Sequence, residues 1–154
     1  GVKYSMEMDG IGLDIAYVNQ TGNAGQNGGN NYNDLDETAY SARISYGNFV
    51  ADYRKNEADN SGYVKNGNAG NDEGTSVCGM YTMGNIRAAA CDISTSFTDA
   101  NNLSNSSSTR TYNADYNLGG GVTLGAVYFT KEVVANSATQ DDVEGIMTKL
   151  SVGF

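Results

Sequence analysis

Apolar and polar residues change places one by one along this chain, and that period of two is what a β-strand with a single apolar face requires. The first run, VKYSMEM, sets Val2, Tyr4, Met6 and Met8 on one face and Lys3, Ser5 and Glu7 on the other. Asp9-Gly10 follows, a pair suited to a type I′ turn, whose two central residues both take positive φ. IGLDIAYV then sets Ile11, Leu13, Ile15 and Tyr17 opposite Gly12, Asp14 and Ala16. Pairing Met8 with Ile11 aligns Met6 with Leu13, Tyr4 with Ile15 and Val2 with Tyr17. All four pairs are apolar and share one face, as a correct register demands.

Nine such runs recur, and helical periodicity is almost absent. The third carries Thr38, Tyr40, Ala42, Ile44 and Tyr46; across Gly47-Asn48 the fourth carries Phe49, Ala51 and Tyr53, which sets Arg43 opposite Asp52 on the polar side. The fifth and sixth flank Gly84-Asn85, with Val77, Tyr81 and Met83 on a face continued by Ile86, Ala88 and Ala90. The seventh and eighth, RTYNADYNL and VTLGAVYF, flank Gly119-Gly120-Gly121, and Leu118 opposite Val122 aligns Tyr116 with Leu124 and Tyr112 with Tyr128. The ninth is the tail, with Ile146, Thr148, Leu150, Val152 and Phe154 on its apolar face. The connections alternate between these tight turns and long polar stretches, QTGNAGQNGGNNYNDLD, NEADNSGYVKNGNAGNDEG, TDANNLSNSSST and the region near VANSATQDD. Four loops of that length are unusual in a compact domain and call for a reason.

Composition narrows the classes. A net charge of −9 argues against nucleic acid as a partner. No stretch approaches the roughly 18 consecutive apolar residues of a membrane helix, a limit that does not touch an alternating barrel strand. The chain has no His, which excludes a Ser-His-Asp nucleophile and His-ligated metal centres in this segment, so no enzymatic activity is expected. Nine of the 11 Tyr fall on the apolar face. Amphipathic rings suit a membrane interface, whereas the inner faces of a β-sandwich, the competing architecture, are drier and richer in Val, Leu and Ile.

With its alternating strands, short-turn and long-loop asymmetry, YNLGGGVTLGAVYF hairpin and terminal LSVGF, the whole chain resembles the C-terminal part of a Gram-negative outer-membrane porin of the general-diffusion type. The resemblance implies an all-β fold, an antiparallel transmembrane barrel of which residues 1–154 form one segment, and a location in the bacterial outer membrane among lipid and lipopolysaccharide. It implies passive diffusion of ions and small hydrophilic solutes through a water-filled pore without a cofactor. It also implies a homotrimer, with Ala88 and Ala90 as contact points, and an aromatic-ended signal for the barrel-assembly machinery at Leu150, Val152 and Phe154. An odd strand count cannot close antiparallel, and the chain opens on Gly1, so a piece is expected: the last nine strands of a 16-stranded barrel, without the constriction loop. A small eight-stranded barrel is the alternative count. The competing function is a secreted or surface soluble β-domain, an adhesin or surface-layer module, binding through the Asn/Gly-rich loops.

On the polar face the residues expected to line a pore are Glu7, Asp14, Arg43, Asp52, Arg54, Arg87 and Asp115, since hydrated wall charges bias which ions enter. Arg43 and Asp52 read equally well as a simple cross-strand pair. Counting outward from Met83 and Ile86 places Cys78 opposite Cys91 at the closer, non-hydrogen-bonded kind of site. An oxidised pair and a reduced pair are both open. Acidic groups at Asp34, Asp36 and Glu37, at Asp72 and Glu73, and at Asp141, Asp142 and Glu144 offer oxygens to Ca²⁺ or Mg²⁺, but no stretch has the EF-hand spacing and a solvated loop is the plainer reading.

Overall fold

The computed structural model describes residues 1–23, 26–27, 30–59, 71–98 and 103–153, and its regular elements are all strands. They are β1 (Val2–Met8), β2 (Ile11–Gly22), β3 (Gln26–Asn27), β4 (Asn30–Asn31), β5 (Leu35–Tyr46), β6 (Phe49–Asp59), β7 (Asn71–Met83), β8 (Ile86–Thr98), β9 (Ser104–Gly119), β10 (Val122–Ala135), β11 (Ala138–Thr139) and β12 (Val143–Val152). The nine long strands form one antiparallel sheet in the order β1-β2-β5-β6-β7-β8-β9-β10-β12, with β11 beside the outer end of β10 and β3 paired with β4 apart from it. The sheet is not closed: among the described residues β1 pairs only with β2, and β12 only with β10.

Hairpin registers follow from the alternation. Met8↔Ile11 through Val2↔Tyr17, Arg43↔Asp52, Met83↔Ile86 and Cys78↔Cys91 all pair as expected. One pair does not. Val122 lies opposite Gly119 and Thr123 opposite Asn117, so Leu118 is an extra residue in a bulge and Leu118↔Val122 does not form. Gly119, Gly120 and Gly121 all take positive φ, at 84°, 59° and 78°. The turn therefore uses Gly120 and Gly121 alone, and Gly119 carries the bulge, its N–H donating to Asn117 Oδ1 at 2.8 Å. Beyond the bulge the register returns to Tyr116↔Leu124 and Tyr112↔Tyr128. A Cβ on Gly121 would stand 2.5 Å from the Gly153 carbonyl in a backbone that disfavours L-residues. Gly121→Ala is expected to cost about 1–2 kcal/mol in urea unfolding, and Gly79→Ala, with open space around it, close to nothing.

At the end away from the tight turns the strands run further than their alternation. β7 begins at Asn71, not Val77, and β9 at Ser104, not Arg110. The stretch near VANSATQDD turns tightly at Asn136 and Ser137, φ 53° and 62°, before β11. These extensions are rich in Ser, Thr, Asn and acids on both sides of the sheet, so backbone pairing persists where no period of two marks it.

No hydrophobic side chain is buried among the described residues. The surface is 10405 Å², against about 7,500 Å² expected of a compact monomer of 16.2 kDa. The strands thus make one layer rather than the facing sheets of a sandwich, and each touches only its ladder partners. Apart from Val18, Ile93, Phe97, Val143, Met147 and the bulged Leu118, the exposed large apolar residues all share one side. Backbone ladders, not a core, hold the described sheet together.

Candidate functional site

The opposite side of the sheet carries the charges. Strand parity and register place Glu7, Asp14, Arg43, Asp52, Arg54, Arg87 and Asp115 there, on β1, β2, β5, β6, β8 and β9. Asp14 sits between Ser5 and Arg43 in register, and it accepts from Ser5 Oγ at 2.5 Å and lies 3.6 Å from Lys3 Nζ. Arg43 has Asp14 on one flank and Asp52 on the other, yet Asp52 binds Arg54 of its own strand, Nε to Oδ1 at 2.7 Å. The Arg43–Asp52 side-chain pair does not form. Same-face residues two apart on a strand stand about 6.6 Å from each other, a little further than a cross-strand pair but within the reach of an arginine, and here the i,i+2 partner holds the carboxylate. Arg43 makes no salt bridge among the described residues. A recess of about 550 Å³ lies over this group, lined by Lys3, Asp14, Arg43, Asp52 and Arg54 among others.

Nearer the tight turns Arg87 of β8 binds Asp115 of β9 through both Nε, at 3.0 Å, and Nη2. Gly125 of β10 is what lets that carboxylate lie flat, because a Cβ there would stand 2.5 Å from Asp115 Oδ1. Gly125→Ala is expected to cost about 1 kcal/mol by displacing the ion pair, and to be neutral or stabilising by about 0.5 kcal/mol once Asp115 is Ala. A double-mutant cycle in urea measures both, and additivity would remove the close approach as the reason for this glycine. Three further cations share the face: Lys3, Lys131 of β10 and Lys149 of β12. Their side is readable from the sequence, since each stands an odd number of residues from an apolar-side neighbour, Val2, Tyr128 or Leu150.

Cys78 and Cys91 are disulfide-bonded across β7 and β8 on this charged side, Cα to Cα 4.1 Å, with Ser76 Oγ 3.7 Å from Cys78 Sγ. The bridge stands in one cross-strand row with Asp14, Arg43, Asp52, Thr111 and Phe129.

The apolar side is tiered. Tyr46, Phe49, Tyr81 and Tyr116 lie toward the tight turns, and Tyr17, Tyr40, Tyr53, Tyr112 and Tyr128 lie toward the long loops. Ile44, Ala51, Ala114 and similar residues fill the band between; on β5, Tyr46 and Tyr40 are separated by roughly 20 Å of strand. The rings Tyr40–Tyr53 and Tyr112–Tyr128 have centroids 6.2 Å apart. Just past the second tier comes an ionic row: Arg110 to Asp92 at 2.9 Å, Tyr128 Oη to Glu144 at 2.9 Å, and Lys55 to Glu57 at 2.6 Å and Glu73 at 2.8 Å.

That row also bears on cations. Consecutive acids such as Asp36 and Glu37, or Asp72 and Glu73, fall on opposite sides of their strands, and Glu73 and Glu144 are already engaged. Among the described residues no three potential ligands gather at a point. Of the expected assembly signal, Leu150 and Val152 stand exposed on the apolar side, and Phe154 lies outside the described residues. The chain matches no family model, no curated protein and no solved structure.

Proposed function

We propose that this chain is part of an outer-membrane β-barrel pore, similar to a general-diffusion porin, through which ions and small hydrophilic solutes pass passively. One observation carries it: a single-layer sheet with no buried hydrophobic side chain among the described residues, most of its large apolar residues on one side between two Tyr tiers and the inner charges on the other. Left in water that apolar side would stand bare; against lipid it is covered, and the tiers fall where a bilayer's interfaces would meet the wall. The charged side then faces a water-filled lumen, where exposed ion pairs keep their hydration and shape the field without chemistry.

The open edges support the same reading. Nine antiparallel strands leave β1 and β12 pointing the same way, so antiparallel closure needs an odd number of added strands. In hydrocarbon each unpaired edge group costs several kcal/mol. Seven further strands make sixteen. A second copy pointing the same way adds nine strands, and its two junctions would be parallel, so it does not serve. Homotrimer formation, lipopolysaccharide contact and recognition by the assembly machinery belong to this proposal as well.

The test is purification of the intact protein from membranes, followed by planar-bilayer recording. A detergent-requiring species that produces stepwise conductance supports the pore. A species that stays monodisperse without detergent and conducts nothing overturns it in favour of the soluble loop-binding domain.

A further inference from the structure

The charged side of the sheet is not uniform. Its acids sit on β1, β2, β5, β6, β7 and β9, as Glu7, Asp14, Glu37, Asp52, Asp72 and Asp115, and three of them are held by cations: Asp14 by Lys3, Asp52 by Arg54 and Asp115 by Arg87. On β10 and β12 the same side reads differently. Val127 faces Met147, Phe129 faces Gly145, and Lys131 and Lys149 stand one step beyond at either end. Met147 is 57% exposed, and the Phe129 ring lies over Gly145, whose Cβ would stand 2.8 Å from it. Neither lysine makes a salt bridge or hydrogen bond among the described residues, and both are exposed. Val18, Ile93 and Phe97 also stand exposed on this side, but none of them has an unpaired lysine two residues away on its strand; at Phe129 and Met147 an apolar surface and an unpaired cation come together. The chain carries −9, so two unpaired cations here arise from placement and not from composition.

We propose that this β10–β12 strip binds permeating organic carboxylates that carry an apolar body, and so makes arylalkanoates a preferred solute class of the pore. The inference rests on the pore reading above. Lys131 lies two residues from Phe129 on the same face, and Lys149 two residues from Met147, each roughly 7 Å along the strand. A carboxylate can therefore take a charge-assisted hydrogen bond from either ammonium while its ring rests on Phe129 or the Met147 thioether. Acetate has the charge without the body, and a neutral aryl alcohol has the body without the charge. The plain structural reading is that Phe129 merely covers Gly145, as aromatic residues do beside strand glycines.

The experiment uses the full protein in planar bilayers with 3-phenylpropionate as the probe, and saturation-transfer NMR of the same probe with the detergent-solubilised protein. Expected is saturable block of chloride current by 3-phenylpropionate, well beyond that by acetate or 3-phenylpropanol. K131Q/K149Q should weaken that block roughly threefold, the scale of an exposed ion pair. Phe129→Ser should weaken it too, and Phe129→Leu, which keeps an apolar side chain, should retain most of it. Equal block by acetate and 3-phenylpropionate, or block unchanged in K131Q/K149Q, overturns the strip and leaves the pore standing. Absence of any conductance overturns the pore, and the NMR transfer then reads the strip alone: loss of transfer in K131Q/K149Q supports it, and no transfer to the wild-type protein overturns it.

Discussion

Ala88→Arg is expected to lower the unfolding free energy of the vesicle-reconstituted protein by about 1–3 kcal/mol, while Ala89→Arg, one residue on, leaves it within about 0.5 kcal/mol. The two alanines are neighbours on β8 and point to opposite sides. Ala88 stands between Tyr81 and Ala114 in the apolar band, and Ala89 between Met80 and Asn113 on the charged side. Guanidinium in hydrocarbon, or packed against a neighbouring copy at the proposed trimer contact, is costly, and in a hydrated lumen it is nearly free. Ala90→Arg, returning to the apolar side beside Tyr112, should cost again, so the three substitutions read the strand's parity directly. Urea titration followed by circular dichroism in lipid vesicles measures all three. Equal costs at 88 and 89 would remove the lipid from the argument, because a sheet wet on both sides has no reason to distinguish them.

Replacing both cysteines, Cys78→Ser with Cys91→Ser, should cost up to about 3 kcal/mol, the chain-entropy value for a loop of this size. The bridge spans a sequence separation of 13 across one hairpin, so it constrains β7 and β8 chiefly in the unfolded chain. Reduction of the wild-type protein should give the same loss, and intact mass before and after should differ by two hydrogens. A double variant as stable as the wild type would mean that the Gly84-Asn85 turn and its ladder already hold the hairpin closed without help. The single variant Cys91→Ser is the sterner case, since it leaves a thiol at Cys78 beside Ser76.

Much of this sheet was legible from local pattern. Val2 to Tyr17 could be paired residue by residue because a two-residue turn and a period of two leave a single register that keeps every apolar side chain together. The same counting placed the seven charged candidates on one side and the two cysteines opposite each other. Lys131 and Lys149, and the outer ionic row of Lys55, Glu73, Asp92 and Arg110, follow from the same alternation once it is applied to every polar position within and just beyond the apolar runs. The bulge at Leu118 was not legible, since three consecutive glycines permit several turns and only the geometry selects which two of them close it. Nor were the outer ends of β7 and β9, where hydroxyl and acidic residues face both ways and the ladder alone decides that the strand continues.

By itself, then, the sequence determined which side of the sheet each residue takes, because side-chain direction in a strand is a local property that flips at every residue. Only the tertiary structure decided which charges meet. Asp52 has Arg43 across the ladder and Arg54 along its own strand at comparable reach, and it takes Arg54, leaving Arg43 without a salt bridge among the described residues. That choice depends on rotamers and on the spacing between strands, neither of which has a period to be read.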